Sequence, residues 1–191
     1  MISVLITGFE PFGGRDRNLS WDVAAKAASC DSFKDWVNAV RLPVSFRKVT
    51  EIVSGLLQYM KPDVMLMLGM AAKRERISVE RLAVNLQDAR IPDNEGFLPV
   101  DRPIFPDGEN ALFSTLPAKS IVSAINDTGI DAAVSESAGL YVCNTAFYTA
   151  LYRTRTTCTK VGFIHFPDMP ATEALKAVSA ALEQIRSQCQ K

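Results

Sequence analysis

Short apolar runs alternate along this chain with stretches whose apolar residues recur every third or fourth position, the alternation expected of strands and helices in turn. ISVLITGF (2–9) reads as a buried strand. SWDVAAKAAS (20–29) follows as a helix, with Ser20 as N-cap and Asp22 placed to meet the positive end of the helix dipole. WVNAVRLPV (36–44) is a second strand candidate. Val49, Ile52, Val53, Leu56, Leu57 and Met60 then fall on one helical face, and Lys61-Pro62 ends that helix because Pro62 disfavours the α conformation at the residue before it. DVMLMLGM (63–70) is apolar almost throughout, as a central strand covered on both faces should be.

Residues 75–106 are harder to assign, with ISVERLAVN (77–85) as one strand and DARIPDNEG (88–96) as a turn-rich loop. Pro117 opens a helix carrying Ile121, Val122 and Ile125, which Gly129 closes. IDAAVSESA (130–138) is a strand, CNTAFYTALYRT (143–154) a helix and KVGFIHF (160–166) a strand. Leu175, Val178, Leu182, Ile185 and Cys189 form the stripe of a last amphipathic helix. The expected fold is α/β: a three-layer open twisted sheet, its central strands mostly parallel, with helices on both faces. With no repeat or linker in 191 residues, one domain over 1–191 is expected.

In such sheets ligands gather beyond the carboxyl ends of the strands. Four stretches fall there: TGFEPFGG (7–14), GMAAKRER (69–76), SAGLYVCN (137–144) and HFPDMP (165–170). Cys143 and His165 are both among them. Cys143 stands at a helix start, where free amide donors and the helix dipole favour a thiolate and can stabilise an oxyanion. His165, ending the next strand, can take the thiol proton and later return it to a leaving amine. A carboxylate is needed to hold the other ring nitrogen, and Glu80, Asp88, Asp93 and Asp168 are all candidates. TGFEPFGG matches neither glycine-rich phosphate cradle, and its Phe9 and Phe12 offer flat walls for a small uncharged ring instead.

Composition narrows the rest. Lys plus Arg (21) balance Asp plus Glu (21), so neither nucleic acid nor a membrane is an expected partner. The first residues carry no basic leader or cleavage pattern, which points to the cytoplasm. Four cysteines without paired spacing read as reduced thiols, and a lone histidine argues against a histidine-based metal site.

TGFEPFGG....N.SW (7–21), ERLAVN..DARIPDN.G..P (80–99), ALFSTLP (111–117), AGLYVCN (138–144) and GFIHFP (162–167) together resemble the pyroglutamyl peptidase I family of thiol exopeptidases. The resemblance implies a Cys-His-Glu triad on Cys143, His165 and Glu80. It also implies a ring pocket at Phe9 and Phe12, lined by Tyr141 and Val142, with the backbone near Met70 meeting the lactam and Arg90 close to the active centre. The implied activity is removal of N-terminal pyroglutamyl residues from peptides by a homo-oligomer, dimer or tetramer, with no metal or organic cofactor expected. Three positions depart from the family pattern: Leu140 where threonine is usual, Leu19 for proline and Lys73 for glycine. Leu140 supports the competing expectation, a catalytically silent lactam- or peptide-binding protein of the same fold.

Overall fold

A computed structural model describes residues 2–189, apart from the side chain of Cys189, so that residue's place on the last helical stripe lies outside the described part. The main sheet holds β1 (Val4–Phe9), β2 (Val37–Leu42), β3 (Val64–Met70), β4 (Ile77–Glu80), β7 (Ala132–Ser135) and β8 (Lys160–Phe166), in the order β2-β1-β3-β8-β4-β7. A separate ribbon pairs β5 (Leu82–Val84) with β6 (Ala111–Phe113). The helices are α1 (Leu19–Ala28), α2 (Phe46–Met60), α3 (Ala118–Asn126), α4 (Val142–Thr154) and α5 (Ala171–Cys189).

The period of two along each strand sorts side chains between two cores. Val4 and Ile6, Leu66 and Leu68, Ile77 and Val79, and Ile164 and Phe166 face a layer built with α1, α3 and α5. Leu5 and Phe9, Met65 and Met67, and Val161 and Phe163 face the layer that holds α2 and α4. The three-layer α/β expectation therefore holds, and it fixes orientation at the site: alternation puts His165 beside Phe163, and Glu80 opposite Val79, both on the α4 side.

β2, β1, β3 and β8 are parallel, which brings the ends of β1, β3 and β8 to one edge of the sheet. β4 runs antiparallel to β8, and β7 follows β4. This corrects one expectation: SAGLYVCN does not leave the carboxyl end of a strand parallel to the others. Ser135 stops at the level of Glu80 and Phe163, and residues 136–141 carry the chain back before α4 begins.

Two local expectations also change. Asn18, not Ser20, caps α1: its Oδ1 accepts from both Ser20 N and Ser20 Oγ, so the serine hydroxyl is free to accept from Phe9 N. The run 77–85 is two strands, because at Arg81 the chain leaves the main sheet for the ribbon, Arg81 N donating to Ser135 O on one side and Arg81 O accepting from Ser114 N on the other. α2 ends as expected, with Lys61 in the left-handed region at φ 44° ahead of Pro62.

Candidate active site

His165 and Glu80 meet across the β4–β8 ladder. Ser78 is the direct partner of His165 and Glu80 that of Phe163, so the two are diagonal neighbours on one face. His165 Nδ1 lies 2.7 Å from Glu80 Oε1, with the carboxylate fully buried and the imidazole 3% exposed. A neutral ring that donates from Nδ1 to the carboxylate keeps Nε2 as its proton acceptor. Burial lowers the imidazole's affinity for a proton and the Glu80 carboxylate raises it, the net direction being down from the ordinary histidine value. His165 is accordingly neutral at pH 7.

The ring is held from β3 as well. Gly69 pairs with His165, and a Cβ there would lie 2.8 Å from both the imidazole Cδ2 and the Phe163 ring, closer than packed atoms tolerate. Gly69→Ala is expected to push the imidazole off Glu80, costing about 1–3 kcal/mol of stability and most of the turnover. Thermal unfolding together with a kcat measurement checks this; unchanged values in both would remove Gly69 from the account.

Cys143 is the second residue of α4, after Val142 and the N-cap Tyr141. Its sulfur does not rest as the thiolate expected from the helix start. Burial, with the Glu80 charge adding to it, pushes the thiol up to about 12, against the pull of Arg74 and of the residue's own backbone amide. Desolvation outweighs the helix start here. Cys143 and His165 line the same cavity, yet among the described residues no hydrogen bond joins them. Thiol and imidazole are two neutral groups facing one space, a geometry that ligand-free sites commonly tighten only with substrate bound.

That cavity, of about 270 Å³, is walled by Phe9, Phe12, Met70, Tyr141 and Val142. Phe12 and Tyr141 stand 5.9 Å apart between ring centroids, and the Tyr141 hydroxyl donates to Pro92 O, tying the pocket to the long loop between β5 and β6, residues 85–110. Of the four candidate acids only Glu80 reaches the ring. Asp168 is 70% exposed and faces Arg15, Asp88 is exposed, and Asp93 accepts from the amides of Phe46, Glu95 and Phe97 as the pivot of a turn.

Arg90 needs correcting: it is exposed and does not line the cavity. The arginine at the site is Arg74, whose Nη1 donates to Glu80 Oε1 at 2.6 Å. The GMAAKRER stretch was placed at this edge from sequence, but nothing in the pattern singled out Arg74 from Arg76 beside it. Leu140, Leu19 and Lys73 all lie outside the cavity lining.

Thiol, imidazole and buried carboxylate gathered at the carboxyl edge of a largely parallel sheet define a thiol hydrolase. The model of the family described as pyroglutamyl peptidase matches residues 2–187. Pyrrolidone-carboxylate peptidase of Thermococcus onnurineus is 46% identical over 87% of this chain and 84% of its own, and that of Escherichia fergusonii 43% identical over 97% and 88%. Among solved structures, a mutant pyrrolidone carboxyl peptidase of Pyrococcus furiosus superimposes with a TM-score of 0.93 at 38% identity, covering 98% of this chain and 100% of its own. Pyroglutamyl peptidase I of Bacillus amyloliquefaciens gives 0.91 at 33% identity, covering 98% of both. The chain belongs to the pyroglutamyl peptidase family.

Proposed function

We propose that this chain is a cysteine exopeptidase that removes N-terminal pyroglutamyl residues from peptides, with Cys143 as nucleophile, His165 as base and then acid, and Glu80 as the group that orients the ring. The observation that carries this reading is the buried His165–Glu80 pair opening on the same aromatic-walled cavity as Cys143. A 5-oxoproline cap has neither charge nor free amine, so flat walls from Phe9 and Phe12 and backbone groups beside Met70 suit it.

In the reaction, His165 Nε2 takes the proton from Cys143 as Sγ attacks the pyroglutamyl carbonyl carbon, and the free amides at the start of α4 accept the developing oxyanion. The imidazolium gives its proton to the departing peptide nitrogen, the C–N bond breaks, and a thioester remains. Water, deprotonated by the same imidazole, releases 5-oxoproline and returns the thiol. A resting thiol at about 12 makes the base indispensable, since proton transfer has to accompany attack.

A chromogenic pyroglutamyl amide tests the reading. Release that iodoacetamide abolishes is expected; tight lactam binding without release would favour the silent binder. Glu80→Gln is expected to lower kcat about a hundredfold and to move the imidazole titration further down, since Glu80 raises it. A wild-type rate in that variant would remove Glu80 from the machinery.

The whole chain, 1–191, is read as one peptidase domain. The described residues contain no helix long and apolar enough to cross a membrane. A catalytic thiol together with Cys30 and Cys158, both free, suits a reducing compartment and supports the cytoplasm. Assembly as a homo-oligomer, dimer or tetramer, is part of the same reading; exposed Ile91, Leu98 and Val100 on the long loop are apolar surface that a second copy would cover.

A further inference from the structure

The guanidinium of Arg74 joins two parts of the site that the chain otherwise brings together separately. Nη1 donates to Glu80 Oε1 at 2.6 Å, the same oxygen that faces His165 Nδ1, and lies 3.3 Å from Ser135 Oγ. Nη2 donates to Ser137 O at 2.8 Å, on the segment that turns the chain back from β7 towards α4 and Cys143. The arginine sits on the turn after β3, its own amide donating to Ala71 O, only five residues beyond the glycine that abuts the imidazole. Its side chain is 26% exposed and lines the cavity.

We propose that Arg74 is a positioning residue for the reaction argued above: one planar fork fixes the carboxylate that orients His165 and the backbone that delivers Cys143, so that base and nucleophile keep a common frame. The inference rests on the proposed reaction for its kinetic consequence but not for its geometry. A guanidinium suits the task because its donors diverge at fixed angles, which an ammonium cannot copy.

The arrangement also divides Glu80 between a standing cation, Arg74, and a ring that becomes one during the reaction. Among the described residues Glu80 Oε2 has no hydrogen-bond partner, and Arg74 and His165 share Oε1. The charged or titratable groups facing His165 are Glu80 from β4, Arg74 from the turn after β3, and Cys143 with Tyr141 from the start of α4. Arg74 opposes protonation of the ring, keeping it a base, and favours ionisation of the thiol, the reverse of what Glu80 does to both.

A single histidine makes the test clean, because one imidazole resonance reports the site. In Arg74→Ala the imidazole midpoint, followed by NMR, is expected to rise, while kcat on the chromogenic pyroglutamyl amide falls about a hundredfold and KM moves little. Arg74→Lys restores a charge beside Glu80 and is expected to bring the midpoint back towards wild type, with kcat still about tenfold low because the arm to Ser137 O is missing. An unmoved midpoint in Arg74→Ala, or full kcat in Arg74→Lys, would overturn the proposal. If Arg74→Ala fails to fold, the lysine variant decides alone, on its kcat. A wild-type protein that cleaves nothing, while the midpoint shifts as stated, would strike down the peptidase reading and leave the positioning role standing.

Discussion

Cys143→Ser is expected to lose turnover by about 10³-fold or more while keeping the fold. The substitution replaces a polarisable sulfur by a hydroxyl that is far harder to ionise, in a position where burial already pushes the native thiol up to about 12. His165 can relieve a thiol of its proton during attack; an alcohol asks much more of a neutral imidazole held below its ordinary affinity for protons. Structurally the change is small. Cys143 sits against an apolar cluster that includes Phe147, Phe163 and Leu151, all untouched by the change, so about 1 kcal/mol is the expected cost. Circular dichroism and kcat/KM on the pyroglutamyl amide check the two halves. A serine variant within tenfold of wild type would refute the nucleophile assignment.

His165→Gln carries the second large effect, and its signature is a pH dependence. With burial pushing the thiol up to about 12, little of the sulfur is ionised at neutrality once the base is gone. The variant is expected to lose about 10³-fold at pH 7, and its residual rate should climb with pH, about tenfold per unit, because hydroxide then does the work of the ring. Glutamine keeps a donor for Glu80, and Arg74 still pairs with that carboxylate, so no unpaired buried charge is created. A residual rate that stays flat between pH 6 and pH 9 would show that thiol ionisation does not limit the variant.

What the sequence made legible was whatever alternates with a fixed period. The mostly apolar runs at 2–9, 63–70 and 160–166 contain β1, β3 and β8, and the stripe from Val49 to Met60 lies in α2, since burial on one or two faces leaves its mark along the element. The positions of Cys143 and His165 at element ends followed from that, and the aromatic walls with them. Strand direction left no such mark: β7 reads the same whether it runs with β8 or against it, and only the pairing through β4 decides. The break at Arg81 does leave one: the apolar alternation of Ile77 and Val79 resumes out of phase at Leu82 and Val84, where the chain changes sheet.

The electrostatics were legible in identity and not in magnitude. Residue pattern alone leaves Glu80 one of four acids and only the family resemblance selects it; diagonal pairing on the ladder is what sets it beside His165. Arg74 and Arg90 are both arginines in loops at the same edge, and which one turns inward depends on Glu80 and Ser137 being there to receive it. A helix start predicts a lowered thiol pKa only while solvent reaches the sulfur; at Cys143 the desolvation of the pocket, itself a product of Phe9, Phe12 and Val142, overrides it.

The most direct measurement is labelling with a pyroglutamyl chloromethyl ketone, followed by peptide mass mapping. Among the described residues Cys158 is the exposed thiol, so an indiscriminate reagent would find it before Cys143. The site as described predicts one adduct, on Cys143, formed in step with loss of activity and slowed by free 2-pyrrolidone. Modification of Cys158 or Cys30 with Cys143 intact, activity falling all the same, would contradict it.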